Sequence, residues 1–329
     1  MPDLYDVAAI GNAIVDVIAP ATDAFLAQNN LDKGAMMLVD PARSAELYSR
    51  MAAAVEASGG SAANTIAGLA SFGGRGAFMG KVADDKLGQV FAHDMRAIGA
   101  RFENAPLIGG PATAVSMINV TPDGQRTMCT YLGASVEFTD SDVDPAVVEA
   151  AGIVYLEGYL FDAEAARRAF AKAAALAHGS GRMIALTLSD GFVVERHREG
   201  LMGFIESQVD LLFANDTEIR ALFQTDDFDA ALDALQYRVK LAAVTRGPQG
   251  SVILSQGERV HVAPEQVDKV VDTTGAGDQY AAGFMYGLSK GRSLQVCGQL
   301  GSLAAAEVIS HYGPRPQVSL KDLAATRNL

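Results

Sequence analysis

Apolar and polar residues alternate along this chain with two different periods, and each change of period marks a new element. "LYDVAAIG" and "AIVDVIA" read as short strands, whereas "SAANTIAGLASF" spaces its apolar residues by three and four, as a helix does, before the strand-like "GAFMGKV". "ATAVSMINV" and "RTMCTYLG" flank "TPDGQ", where Pro122, Asp123 and Gly124 supply turn chemistry, so the three segments predict a hairpin. From about residue 141 the alternation becomes regular. Helix "SDVDPAVVEA", strand "GIVYLEG", helix "AEAARRAFAKAAALAH" and strand "RMIALTL" are followed by strands "VDLLFAN" and "LAAVTR". This succession predicts the α/β class, with a doubly wound, mostly parallel sheet flanked by helices. "SVILSQGERVHV" forms a second hairpin, and two helices are predicted after Asp278, at roughly 279–289 and 293–309.

The early hairpin and the strands near residues 12–18 and 34–39 are surplus to a parallel sheet. Antiparallel strands with one wet face suit a small β-structured lid. The chain is therefore expected to be one unit, 1–329, with the lid made of insertions at approximately 12–40 and 101–131.

Composition narrows the function classes. Hydrophobic residues make up 49% of the 329 and charged ones 20%, which fits a compact fold and not a disordered chain. A net charge of −13, from 26 basic and 39 acidic residues, repels a phosphate backbone, so no nucleic-acid partner is expected. The opening residues lack a basic region ahead of an apolar one, and no apolar run approaches the roughly 20 residues a bilayer needs. Cys129 and Cys297 form neither a disulfide framework nor a CxxC motif, so they read as small buried hydrophobes in a reducing, cytoplasmic setting without a membrane partner. His93, His178, His197, His261 and His311 show no metal-binding spacing.

The chemistry concentrates in glycine-bearing strand ends. In "DTTGAGD", Gly275, Ala276 and Gly277 precede a helix expected to begin near Asp278. A helix start offers unpaired N–H groups and a positive dipole end, which together hold an anion. A carboxylate at that corner repels the anion, and makes sense where it accepts a proton from a hydroxyl attacking phosphorus. The plain alternative is that Asp278 caps the helix. "NDTE" places Asn215 and Glu218 one turn apart after a strand, as Mg²⁺-organising oxygens or as a capping box, and both can hold. In "TRGPQGS", Thr245, Gly247 and Gly250 either border a nucleotide or make a plain turn. "SGGSAAN" sets Gly60 before a helix that carries Asn64; with Asp16 of "GNAIVD", Asn64 could bind a vicinal diol, and the structural alternatives are a helix start and a solvated acid. Arg126, after the lid turn, is either a surface arginine or a guanidinium that closes over substrate or phosphate. Neither a Walker A sequence nor a strand-anchored GxGxxG occurs.

With these motifs together, the chain resembles the ribokinase-like (PfkB) family of carbohydrate and nucleoside kinases over nearly its whole length. "DTTGAGD" is similar to the family's C-terminal signature, "GGSAAN" followed by "GKVADDKLG" to its N-terminal one, and "NDTE" to its NxxE motif. The resemblance implies Asp278 as catalytic base and the backbone of Gly275, Ala276 and Gly277 as anion hole. It implies Asp16, Gly60 and Asn64 on substrate hydroxyls, and Thr245, Gly247 and Gly250 at ATP. Asn215 and Glu218 would organise Mg²⁺ through water, and Asp272 and Thr274 would hold a monovalent cation, usually K⁺. Within the family, "GYLFD", "VDLLFANDTE" and "GQRTMCTYLGAS" look most like adenosine kinases, the last with an equivalent of Arg126. Leu160 stands where those enzymes often carry a base-stacking aromatic, which Tyr159 or Phe161 would have to replace. The expected reaction is ATP-dependent phosphorylation of a primary hydroxyl, the 5′-hydroxyl of adenosine. The alternatives are a kinase of ribose, fructose or 2-keto-3-deoxygluconate, and a non-catalytic protein that binds nucleotide or sugar. By resemblance the state is monomer or homodimer.

Overall fold

The computed structural model describes residues 4–329, which supply thirteen strands. These are β1 (Tyr5–Ile10), β2 (Ile14–Pro20), β3 (Met36–Leu38), β4 (Val55–Gly59), β5 (Gly76–Met79), β6 (Ala114–Val120) and β7 (Arg126–Tyr131), then β8 (Ala151–Glu157), β9 (Met183–Thr187), β10 (Leu211–Asn215), β11 (Leu241–Thr245), β12 (Ser251–Ser255) and β13 (Glu258–Val262). Eight form one sheet in the order β13-β12-β11-β10-β9-β8-β1-β5, parallel from β11 to β5 and antiparallel between β11, β12 and β13. The central strands are almost continuously apolar because helices cover both faces. In β8, Val154 and Leu156 face a core with the helices Glu164–Gly179 and Gly191–Gln208. Ile153 and Tyr155 face the opposite core, with the helices Ser61–Ser71 and Ala276–Ser289.

The other five strands form a smaller sheet ordered β3-β7-β6-β2-β4, which contains the predicted 115–131 hairpin. It takes a different share of the chain from the expected insertions. β4 closes its edge beyond residue 40, and residues 101–113 run instead beside β5, with bridges at Ala77–Arg101 and Ala83–Leu107. Two helical expectations also shift. The segment 141–150 is a short 3-10 turn, Asp140–Asp142, followed by Pro145–Glu149, because Asp144 caps a new start with proline in its first turn. The helix expected from 279 begins at Ala276.

That last helix lies between Ser61–Ser71 and Leu294–Ile309, at distances only small residues permit. A Cβ on Gly283 would press against the Leu300 carbonyl. Gly283→Ala should therefore destabilise the protein by about 1–3 kcal/mol through overpacking. Urea unfolding measures this, and an unchanged midpoint would show that the two helices can separate freely.

Candidate functional site

Parallel strands end in register, so their carboxyl ends bring side chains to one edge: Glu157 pairs with Thr187 and Asn215 with Thr245. A cavity of about 670 Å³ opens along this edge. Its far wall is one face of the smaller sheet. Strand alternation directs Asp16 and Ile14 of β2, Ile118 of β6, Met128 of β7 and Met36 and Leu38 of β3 into the cavity. Val15, Val17, Met117 and Cys129 pack on the other face with Leu26 and Leu47. Met36 and Leu38 are 49% and 60% exposed, an apolar wall open to a ligand.

The first turns of two helices meet at the cavity floor. Gly275 caps Ala276–Ser289 in the left-handed region (φ 80°), where a Cβ would also stand 2.7 Å from Pro314. No side chain caps this helix, which removes the simple capping role for Asp278. The Asp278 carboxylate instead receives the Ser61 hydroxyl at 2.6 Å and the Asn64 carboxamide at 3.3 Å. Gln279, fully buried, fixes this meeting by donating to the Asn64 and Pro314 carbonyls, both at 2.9 Å. The first-turn amides at Gly277 and Asp278 have no acceptor within the helix and border the cavity.

Burial of carboxylates dominates the electrostatics. Desolvation pushes Asp278 up to about 6, against the opposing bonds from Ser61 and Asn64. Asp16 is likewise raised to about 6 by desolvation, moderated by the Arg315 and Arg126 charges. Both acids border the cavity and keep partial solvent access. At the end of β8, Glu157 is 1% exposed and accepts from Ala62 N at 2.9 Å and from Asn12 Nδ2 at 2.8 Å; its pKa rises to about 7, again by desolvation. Ser61, Asn12, Glu157 and Arg315, which donates to Asn64 Oδ1 at 3.2 Å, were all missed by the sequence reasoning. Ser61 and Asn12 carried a signal, lying inside the quoted "SGGSAAN" and "GNAIVD".

Asn215 and Glu218 line the cavity and form a reciprocal capping box: Glu218 N donates to Asn215 Oδ1 at 2.8 Å, and Asn215 N to Glu218 Oε2 at 2.9 Å. Desolvation raises Glu218 to about 7. Among the described residues no group of three or more His, Cys, Asp or Glu could hold a metal. The pair therefore fits a hydrated Mg²⁺ carried by a nucleotide's phosphates, and not a dedicated protein cage.

Gly60, Thr245, Thr274, Gly275, Ala276 and Gly277 also line the cavity. Gly247 and Gly250 do not; they turn the chain from β11 into β12. Phe161 is buried in the core, while Tyr159 borders the cavity together with Phe192, an aromatic that is 71% exposed.

Arg126 corrects the expectation of a surface residue, and its charge acts on Asp16 of the main cavity. It is buried and ion-paired to Asp272 Oδ2 at 2.7 Å. The same pair corrects the expected cation site. Asp272 Oδ1 accepts from Thr274 N at 3.1 Å and Thr274 Oγ1 at 2.7 Å, and Oδ2 also takes Gly313 N at 3.1 Å. A carboxylate so occupied does not fit K⁺.

Known proteins resemble this chain over nearly its whole length. Residues 6–320 match the pfkB family of carbohydrate kinases. The crystal structure of adenosine kinase from Sinorhizobium meliloti is 54% identical, with a TM-score of 0.91 over 98% of this chain and 99% of that one. A probable sugar kinase protein from Rhizobium etli CFN 42 is 49% identical, with a TM-score of 0.93 over 99% of each chain. Adenosine kinase of Saccharomyces cerevisiae is 29% identical over 93% of this chain and 95% of its own. No helix among the described residues is long and apolar enough to cross a membrane.

The Ser61 bond stabilises the charged form of Asp278, so its removal must raise the carboxyl pKa further. A hydrogen bond to a charged group is worth about 1.5–3 kcal/mol, and 1.36 kcal/mol is one decade of protonation. Ser61→Ala should move the Asp278 titration upward by about one to two pH units, read by ¹³C NMR of labelled aspartate. An unmoved titration would show that the hydroxyl does not act on this carboxylate.

Proposed function

The chain belongs to the pfkB family of carbohydrate kinases and is an ATP-dependent kinase, and from that premise we propose that it phosphorylates the 5′-hydroxyl of adenosine. The observation that carries the reading is Asp278: a carboxylate with raised pKa, held by Ser61 and Asn64 in the first turn of a helix whose amides face the same cavity.

In this reading the 5′-hydroxyl lies against Asp278, which takes its proton as the oxygen attacks the terminal phosphoryl of ATP in line. The amides of Gly277 and Asp278, presented by the turn through Gly275 and Ala276, stabilise the charge gathering on the transferred group, helped by the dipole of their helix. Asp16 and Asn64 hold the ribose diol from two sides, with Gly60 at the start of the Asn64 helix. Thr245 and Asn215 border the donor nucleotide. Magnesium, arriving with ATP, would be held through water by Glu218 and Asn215 and would neutralise charge on the phosphate oxygens. The smaller sheet acts as the lid, excluding water that would otherwise hydrolyse ATP.

The choice of a nucleoside rests on the apolar wall. Ile14, Met36, Leu38, Ile118 and Met128 offer a surface that a purine base would cover and a free sugar would leave wet, with Tyr159 and Phe192 available to the ring. The adenosine kinase of S. meliloti, at 54% identity, supports the same choice. A free sugar is the second reading, favoured by likeness to the R. etli protein.

Two measurements check these statements. Asp278→Asn should lower kcat by about 10²–10⁴-fold, the usual worth of a general base, and near-normal turnover would refute its role. ADP release coupled to an indicator reaction, run with adenosine, ribose, fructose and 2-keto-3-deoxygluconate, should be fastest with adenosine. Turnover with a free sugar alone would remove the nucleoside.

A further inference from the structure

We propose that the Arg126 guanidinium serves as a built-in monovalent cation behind the phosphate-binding turn, so that the protein neither needs nor binds K⁺ at Asp272. Asp272 opens the segment that leads through Thr274 and Gly275 into the helix bearing Asp278, so its charge must be balanced for that turn to keep its shape. The Asp272 and Arg126 side chains are each 7% exposed, so solvent screens their interaction little.

The acceptor count leaves no opening for an ion. A carboxylate offers about four acceptor positions. Here three hydrogen bonds and an ion pair meet them: Thr274 N and Thr274 Oγ1 donate to one oxygen and Gly313 N to the other, against which Arg126 Nη2 lies at 2.7 Å. A potassium ion would have to displace one of these and approach a guanidinium that is never deprotonated. The ring of Tyr312, whose centroid is 5.7 Å from the guanidinium carbon, adds a second group that favours positive charge there. Among the described residues Nε and Nη1 of Arg126 have no hydrogen-bond partner, and Asp272 is its ion-pair partner. The cation comes from the first residue of β7, and in this way the smaller sheet is tied directly to the turn.

The inference uses the kinase reading for one assay only; two further readouts need no substrate. Wild-type turnover should agree within about twofold in KCl, NaCl and tetramethylammonium chloride at equal ionic strength, and its melting midpoint should not distinguish the three salts. ²⁰⁵Tl⁺ NMR should show no saturable site that K⁺ displaces. Arg126→Met keeps the stem and removes the charge, so the ion's role should return: KCl, but not tetramethylammonium chloride, should raise its melting midpoint and increase its turnover by about tenfold. A wild type that loses most activity without K⁺, or that binds Tl⁺ saturably in competition with K⁺, would overturn the proposal. So would a folded Arg126→Met indifferent to K⁺. Should that variant not fold, the wild-type salt and thallium measurements decide alone. If no acceptor tested is phosphorylated, the function reading fails while the melting and thallium results still judge this one.

Discussion

The site depends on a single unfavourable placement: a carboxylate held in a partly dry cavity beside amides that gather anions. Asp278 stays there because two helices converge. Ser61 and Asn64, from the first turn of one, donate to the acid in the first turn of the other. That convergence is set by packing far from the chemistry. Gly68 leaves room for Gln279, whose amide bonds the Asn64 and Pro314 carbonyls, and Gly283 lets the next helix approach. Bulk at either glycine would move the base before it touched any catalytic atom.

Charge gives the cavity its second character. Asp16, Asp278, Glu157 and Glu218 all have pKa values raised by desolvation, to about 6 or 7. A raised carboxyl pKa means that the folded state holds a proton that the unfolded chain would release. Its cost to stability therefore grows as pH rises from about 4 and is complete above the folded value. Above about pH 7 these four carboxylates therefore lower the stability of the protein. Hydroxyl donors from an acceptor, and the positive charge that accompanies a nucleotide, act against this cost, so ligand binding and site stability are linked.

Much of this was legible in the sequence, for identifiable reasons. The central strands announced themselves because parallel strands buried on both faces are uniformly apolar. The glycine-bearing strand ends were visible because "DTTGAGD", "NDTE" and "SGGSAAN" combine residue types that packing alone does not demand. What escaped lacks such a pattern. β4, "VEASG", is a partly exposed edge strand with little apolar alternation. The helix Gly191–Gln208 carries the polar run "ERHREG" through its middle, where it bends at His197. Glu157 and Arg315 act through partners far away in sequence, Asn12 and Ala62 for one and Asn64 for the other, which no local spacing encodes.

Arg126 shows where reading by motif reaches its limit. Its place after a hairpin turn made solvent or substrate the natural partner, since nothing local connects it to an acid 146 positions later in the chain, 272 less 126. Only the fold brings β7 to the start of the "DTTGAGD" turn. Once there, the pair joins the sheet that walls one side of the cavity to the "DTTGAGD" turn on the other. A displacement of the smaller sheet must then either carry Asp272 with it or break a buried ion pair, which is costly when one charge is left uncompensated. The position of the smaller sheet and the shape of the "DTTGAGD" turn are thus mechanically connected through one guanidinium.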